Sequence, residues 1–66
     1  MFVTINGKQE ELTESTSIGA FLAGKKLDFD AVVVEHNRRI IDKADFHDFV
    51  MKENDRLEVL RFVGGG

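Results

Sequence analysis

The sequence has 66 residues, of which 42% are hydrophobic and 32% charged, with a formal net charge of −3 at pH 7 and no cysteine. A chain of this length forms one small domain without room for an enzyme-sized cleft, so we expect no catalytic activity of its own. The negative charge gives no electrostatic case for nucleic acid or an anionic membrane, and the lack of cysteine excludes disulfides, thiolate metal sites and a nucleophilic thiol.

Targeting signals and membrane spans are not evident in the sequence. No hydrophobic run approaches the roughly 20 residues of a membrane-spanning helix. The first residues lack the basic region that opens a signal peptide. We therefore expect a cytoplasmic protein that binds no membrane and is a monomer when free.

The first elements along the chain predict a β-hairpin. Residues 2–5 are rich in β-branched side chains and alternate in polarity, which is typical of a strand. Asn6 and Gly7 follow, and a two-residue Asn-Gly turn is a strong hairpin signal because both residues tolerate positive φ. Residues 8–12 return as a polar strand, which suits the edge of a sheet.

A short helix is predicted after the hairpin. Thr16 or Ser17 can cap it by accepting a backbone N–H bond. An apolar stripe with helical spacing follows, formed by Ile18, Phe21 and Leu22. Gly24 and the two lysines after it are expected to end the helix after about ten residues. Leu27 and Phe29 are expected to hold the chain in place where it leaves the helix.

The second half of the chain predicts several short strands. Residues 31–34 form an apolar run of the length of a buried strand, 35–39 a polar reversal and 40–41 a short strand. Residues 42–48 are polar around Phe46 and suit a helical turn. Residues 49–51 suit either a short strand or a plug beneath the core. A turn at 52–55 leads into the final strand, 56–63.

This order of elements predicts an α+β fold, with one helix packed across one face of a mixed sheet of four to five strands. The first and last strands should be parallel neighbours at the centre of the sheet, so that the helix covers both. We expect a domain over residues 1–63 and a flexible tail over 64–66. The predicted core comprises Met1, Val3, Ile5, Ile18, Phe21, Leu22, Val32, Val34, Leu57 and Val59.

The last strand also predicts a surface for a partner. Its alternation turns Leu60 and Phe62 away from the core, and the alternation of the first strand does the same for Phe2. Large apolar side chains on the solvent face of neighbouring strands mark a docking site. A β-bulge at Leu60, which would return these side chains to the core, is an open alternative.

The chain ends with three consecutive glycines, Gly64, Gly65 and Gly66. Without side chains, they can thread through a narrow slot in another protein and present an unhindered terminal carboxylate. Three extended residues reach roughly 10 Å beyond the folded body. We expect this tail to be poorly ordered in the free protein and ordered in a complex.

Four short segments together resemble the ThiS family, the small sulfur carrier proteins of thiamin biosynthesis, which share the β-grasp fold with ubiquitin. They are Val-Thr-Ile-Asn-Gly at 3–7, Val-Glu-His-Asn at 34–37, Asp-Arg-Leu-Glu-Val at 55–59 and Phe-Val-Gly-Gly-Gly at 62–66. The resemblance covers the whole chain, although it has one glycine more than the terminal pair that the family pattern requires.

The resemblance implies a reaction at Gly66. A ThiF-like adenylyltransferase would use ATP to convert the terminal carboxylate to an acyl-adenylate. A sulfur donor such as a cysteine desulfurase would then supply a persulfide that leaves a thiocarboxylate, and the sulfur would pass to thiazole synthase. In this scheme Gly64 and Gly65 give access to the carboxylate, Phe2, Leu60 and Phe62 dock, and the chain itself binds no cofactor or metal.

The remaining polar residues suggest structural roles. His36 and His47 lack a set of further ligands at metal spacing, which favours exposed or capping histidines over a zinc site. The pair Arg38-Arg39 suits a solvated turn, with an acidic partner as the alternative. Three acidic residues suit a hydrated loop better than a cation site: Asp42, Asp45 and Asp48.

Two other functions use the same C-terminal feature. The small subunit of molybdopterin synthase is also a sulfur carrier, and it would insert its tail into the large subunit. A ubiquitin-like modifier would instead join its terminal glycine to lysines of other proteins. A third possibility is an interaction domain in which the glycines are incidental, and deletion of Gly65 and Gly66 would then leave its partner binding unchanged.

Overall fold

The first and last strands of the chain lie side by side at the centre of a five-stranded sheet. The structure is a computed structural model that describes residues 1–62. Its strands have the order β2-β1-β5-β3-β4. They are β1 (Phe2–Ile5), β2 (Lys8–Glu11), β3 (Val32–His36), β4 (Arg39–Ile41) and β5 (Arg56–Arg61), and the helix α1 is Ile18–Gly24. None of the helices in this part of the chain is long and apolar enough to cross a membrane.

The pairing of the central strands confirms the predicted topology. β1 and β5 are parallel, with Thr4 opposite Arg56 and Ile5 opposite Leu57. The other three pairs of neighbouring strands are antiparallel. The α+β prediction is therefore confirmed, with the sheet at the upper end of the expected strand number.

Two tight turns use left-handed backbone conformations. At the predicted hairpin turn Asn6 has a φ of 50° and Gly7 a φ of 83°. The turn between β3 and β4 is formed by Asn37 and Arg38, with φ of 48° and 75°. The predicted polar reversal over 35–39 was too long at both ends, because Glu35 and His36 stay in β3 and Arg39 already belongs to β4, opposite His36.

Helix α1 is shorter than predicted, with seven residues. Ser17 caps its start, since its Oγ accepts the N–H of Ala20 at 3.0 Å. It ends at Gly24, as predicted, with Lys25 as its C-cap. The left-handed residue that follows is Lys26, with a φ of 60°. The N–H of Leu27 then reaches back to the carbonyl of Leu22 at 2.9 Å, which is the hydrogen bond of a Schellman motif.

Replacing Gly24 with alanine is expected to stabilise the protein. Gly24 belongs to α1 and lacks a positive φ, and a Cβ placed on it would meet no other atom within 4 Å. Alanine loses less backbone entropy than glycine on entering a helix, so the free energy of unfolding should rise by about 0.5–1 kcal/mol. Urea denaturation measures this, and a loss of stability would show that the position needs glycine.

The hydrophobic core lies between the sheet and α1. Nine of the ten predicted core residues are buried, and Met1 is half-buried. Two large buried residues were missed, Phe46 and Met51, which are 1% and 2% exposed. Both belong to the stretch after β4 that begins with a short 3-10 turn, Lys43–Asp45. This stretch closes the core at the start of α1. Of the two interpretations of 49–51, the plug applies to the buried Met51, whereas the exposed Val50 makes an isolated β-bridge with Ser17 and no strand.

Backbone hydrogen bonds hold this stretch against the N-terminus of α1. The N–H of Ile18 donates to the carbonyl of Phe49 at 2.9 Å, and that of Gly19 to the carbonyl of Phe46 at 2.8 Å. Both donors lie in the first turn of the helix, where N–H groups have no partner within the helix. Gly19 permits the approach, because a Cβ there would lie 2.8 Å from Nδ1 of His47.

Candidate functional site

The proposed reactive tail lies outside the described residues, which end at Phe62. Gly64, Gly65 and Gly66 are therefore sequence-based predictions, as is their ordering on binding. What the structure places is the strand that leads to them, β5, and the surface around its end.

The end of β5 carries two large exposed apolar side chains. Leu60 is 57% and Phe62 51% exposed. Leu60 lies opposite Val33 of β3 in an uninterrupted antiparallel register. The N–H of Phe62 continues this pairing by donating to the carbonyl of Ala31 at 2.9 Å. The alternative of a bulge that returns Leu60 to the core was therefore wrong.

Phe2 does not belong to the same surface, although it is also exposed. The parallel register places Thr4 opposite Arg56, so Phe2 and Leu60 are offset by six residues along the sheet. This offset corresponds to about 20 Å. The carbonyl of Phe2 instead accepts the N–H of Asn54, in the turn that precedes β5. The prediction of one patch containing Phe2, Leu60 and Phe62 was wrong because it considered which face each side chain takes and ignored the register.

Two other residues extend the apolar surface at the end of β5. Val33 is paired with Leu60, and alternation along β3 puts it on the side of the sheet away from α1. Ile40 on β4 lies opposite Glu35, two residues from Val33, and is 69% exposed. We call Val33, Ile40, Leu60 and Phe62 the outer apolar patch. It spans three neighbouring strands beside the exit of the tail.

Two carboxylates border the outer apolar patch. Glu35 of β3 and Glu58 of β5 lie directly opposite each other on the same face. Like charges at directly opposed positions of a sheet are unfavourable. A lysine or arginine of a partner placed between them would remove this repulsion, so the surface suits an apolar partner with a basic group at its border.

A second cluster joins the β3–β4 turn to the segment before β5. His36 Nε2 and Asp55 Oδ2 are 2.8 Å apart. The same carboxylate accepts the backbone N–H of Lys52 at 2.8 Å, and Asn37 contributes a longer contact of 3.4 Å. The His36 ring packs edge-on to Phe49 at 4.5 Å between centroids. His36 is thus part of a structural network and is not an exposed or capping residue.

The pKa of Asp55 reflects this network. Burial raises the pKa of its carboxyl, but the hydrogen bonds from His36, from the Lys52 backbone and from Asn37, with the charge of His36, outweigh burial and lower the pKa below its usual value of 3.8. The carboxylate is therefore held in its charged form by its partners, and its role is structural.

Asp55 is expected to contribute stability that is lost in acid. A carboxyl whose pKa is lower in the folded state stabilises the protein above its unfolded pKa, and this contribution disappears as pH falls through the folded pKa. The difference in unfolding free energy between the parent and Asp55→Asn should therefore shrink as the pH falls below about 4. Urea denaturation over this range measures it, and a constant difference would contradict the assignment.

The other polar residues singled out from the sequence lie at the surface. The exposed ones are Arg38, Arg39, Asp42, Asp45, His47 and Asp48. His47 lies against Phe29 with 5.1 Å between ring centroids. Within residues 1–62, no group of three or more histidine or acidic side chains could hold a metal ion.

Known proteins match this chain over its whole length. The ThiS family model matches residues 3–66. This chain belongs to the ThiS family. The curated sulfur carrier protein ThiS of Bacillus subtilis is 36% identical to it over 63 residues, which cover 94% of this chain and 96% of that protein.

Solved structures and longer proteins agree with this membership of the ThiS family. The crystal structure of the thiamine biosynthesis protein ThiS from Geobacter metallireducens has a TM-score of 0.84 and 32% identity, with all of both chains covered. The fold is thus the β-grasp fold that the resemblance implied. The thiazole synthase of Paramagnetospirillum magneticum is 32% identical over 66 residues, but this ThiS-family chain spans 20% of its length.

Proposed function

We propose that this chain is the sulfur carrier protein of thiamin biosynthesis, with the carboxylate of Gly66 as the group that carries sulfur. Membership of the ThiS family, from residue 3 to residue 66, is the observation that supports this most directly. The small size of the domain and the lack of cysteine agree with a carrier that is the substrate of other enzymes.

The carboxylate has to be activated before it can accept sulfur. An α-carboxyl has a reference pKa of about 3.5 and is ionised at neutral pH, so it is a poor electrophile. Attack of its oxygen on the α-phosphate of ATP releases pyrophosphate and gives an acyl-adenylate. A persulfide then displaces AMP, and cleavage of the S–S bond by a thiol leaves the thiocarboxylate. The proposal places this chemistry in the cytoplasm, and the chain binds no cofactor during it.

Three partners follow from this reaction sequence. A ThiF-like adenylyltransferase forms the acyl-adenylate, a cysteine desulfurase or similar enzyme supplies the persulfide, and thiazole synthase receives the sulfur. Support for thiazole synthase comes from relatives: two curated proteins of that name include a segment similar to this whole chain. A carrier segment within the same polypeptide as its acceptor suggests that the two act together.

The outer apolar patch is the docking surface in this proposal. It combines the half-buried Val33 of β3 with three exposed side chains on β4 and at the end of β5, Ile40, Leu60 and Phe62. A partner that covers Leu60 and Phe62 would have the tail directed toward its active site. Exposed apolar groups of this size, bordered by charges, are typical of protein-binding surfaces.

Intact mass measurement tests the function. The chain is incubated with ATP, the adenylyltransferase and a persulfide donor, and a carrier should gain the mass difference between one sulfur and one oxygen. A variant that lacks Gly65 and Gly66 should remain unchanged. Lysine-linked adducts without a thiocarboxylate would instead indicate a protein modifier. Sulfur transfer to molybdopterin synthase, and none to thiazole synthase, would also contradict the proposal.

A further inference from the structure

Asn6 makes contacts to β5 that exceed the requirements of a hairpin turn. Its backbone N–H donates to the carbonyl of Leu57 at 2.9 Å. Its side-chain Oδ1 accepts the N–H of Val59 at 2.7 Å, and its Nδ2 donates to the carbonyl of Val59 at 3.2 Å. One residue of the turn thus bonds β5 at three main-chain atoms.

These bonds lie where β5 loses its neighbour on one side. The β1 pairing stops at Ile5 opposite Leu57, because the chain turns away at Asn6 and Gly7. On the other side, β3 accompanies β5 as far as Arg61. The stretch of β5 that leads to the tail is therefore held by a strand on one side and by the side chain of Asn6 on the other.

The primary amide of asparagine can replace a strand peptide at this point. It offers two N–H donors and one carbonyl acceptor, and one of the donors together with the acceptor matches the pair that a backbone peptide presents to a neighbouring strand. The positive φ of Asn6, 50°, turns the backbone away and leaves the side chain to continue the ladder for one more residue. The Asn-Gly pair thus forms the turn and also extends the sheet at Val59.

We propose that Asn6 is a positioning residue for the carrier tail: its side chain fixes the direction in which β5 delivers Gly66 to the activating enzyme. The inference rests on the proposed function. Two members of the outer apolar patch, Val33 and Ile40, lie on β3 and β4, whereas the hydrogen bonds of Asn6 described above reach β5. Loss of the Asn6 amide is therefore expected to affect how the tail enters the enzyme more than it affects docking.

The test is Asn6→Gly, because glycine keeps the positive φ of the turn and removes both side-chain bonds. Hydrogen exchange of the Val59 amide should accelerate about 5-fold or more, as expected for the loss of a net hydrogen bond. In ATP–pyrophosphate exchange with the adenylyltransferase, kcat should fall about 5- to 50-fold through misplacement of the carboxylate, with KM for the carrier within about 2-fold.

Ser17→Ala is the matched control. It removes the N-cap of α1, the hydroxyl that accepts the N–H of Ala20. This lowers the stability of the protein without changing a contact of β5. Its kcat and KM should equal those of the parent. An equal loss of kcat in both variants would show that Asn6 acts through stability alone and would overturn the inference, as would an unchanged kcat for Asn6→Gly. Absence of exchange with the parent chain would overturn the proposed function itself.

Discussion

Replacing Phe46 with alanine is expected to lower the free energy of unfolding by about 3–5 kcal/mol. Phe46 is 1% exposed and is the largest of the fully buried side chains. Its ring contacts Phe29 edge-on, with 5.3 Å between centroids. Truncation would leave a cavity where the stretch after β4 closes the core. A domain of this size has a total stability of about 5–15 kcal/mol at most, so the variant should be close to unfolding.

Phe2→Ala is the control for this experiment, since it removes the same atoms from a side chain that is 43% exposed. It should lower the free energy of unfolding much less, because removing a half-exposed ring leaves almost no cavity. Urea denaturation of both variants gives the comparison. Equal losses would mean that Phe46 is not part of the core, and that residues 46–51 are a surface loop as their polar neighbours suggest.

The sequence predicted the elements with a regular period and missed the contacts that join distant segments. The hairpin, the stripe of α1 and β5 follow from alternation or helical spacing, which reflect burial on one face. Phe46 has no such period around it. Its burial depends on the absence of a side chain at Gly19, where the chain after β4 approaches the helix, and glycine in a helix gives no signal of what it contacts.

The outer apolar patch shows the same limit. Alternation along β5 correctly turned Leu60 and Phe62 outward, but it could not decide which residues of other strands lie beside them. That depends on register, and the register of β1 against β5 places Phe2 at the opposite end of the sheet. Val33 and Ile40 could have been found from the sequence only with the pairing of β3 to β4 and β5 already known.

His36 and Asn6 were missed for a related reason. In the sequence, His36 stands in a polar stretch and Asn6 is recognised only as a turn residue. Their hydrogen-bonding partners, Asp55 and Val59, are 19 and 53 residues away along the chain. A single sequence contains no periodic signal for a polar contact between residues so far apart. The short motifs that include His36 and Asn6 can be recognised, but their distant partners cannot.

Two variants should distinguish docking onto the adenylyltransferase from the reaction of the terminal carboxylate. Phe62→Ala removes a side chain of the outer apolar patch, and binding to the adenylyltransferase should weaken about 5-fold or more, as for a truncated aromatic anchor. The fold should be unchanged, because Phe62 is 51% exposed. Phe2→Ala, the same change at a site eight residues or about 26 Å away in register, should bind like the parent. Equal weakening by both would contradict the corrected patch.

Gly65→Val should block the reaction by a different route. A β-branched side chain restricts the backbone and fills space that a narrow slot must leave empty, so the carboxylate cannot reach ATP in the required geometry. We expect ATP–pyrophosphate exchange to fall by about 100-fold or more, even when the enzyme is raised to saturation. Phe62→Ala should recover fully at saturation, because its tail is intact. If Gly65→Val exchanged label as fast as the parent, the tail would not enter a tight site, and the carrier function would lose its main physical support.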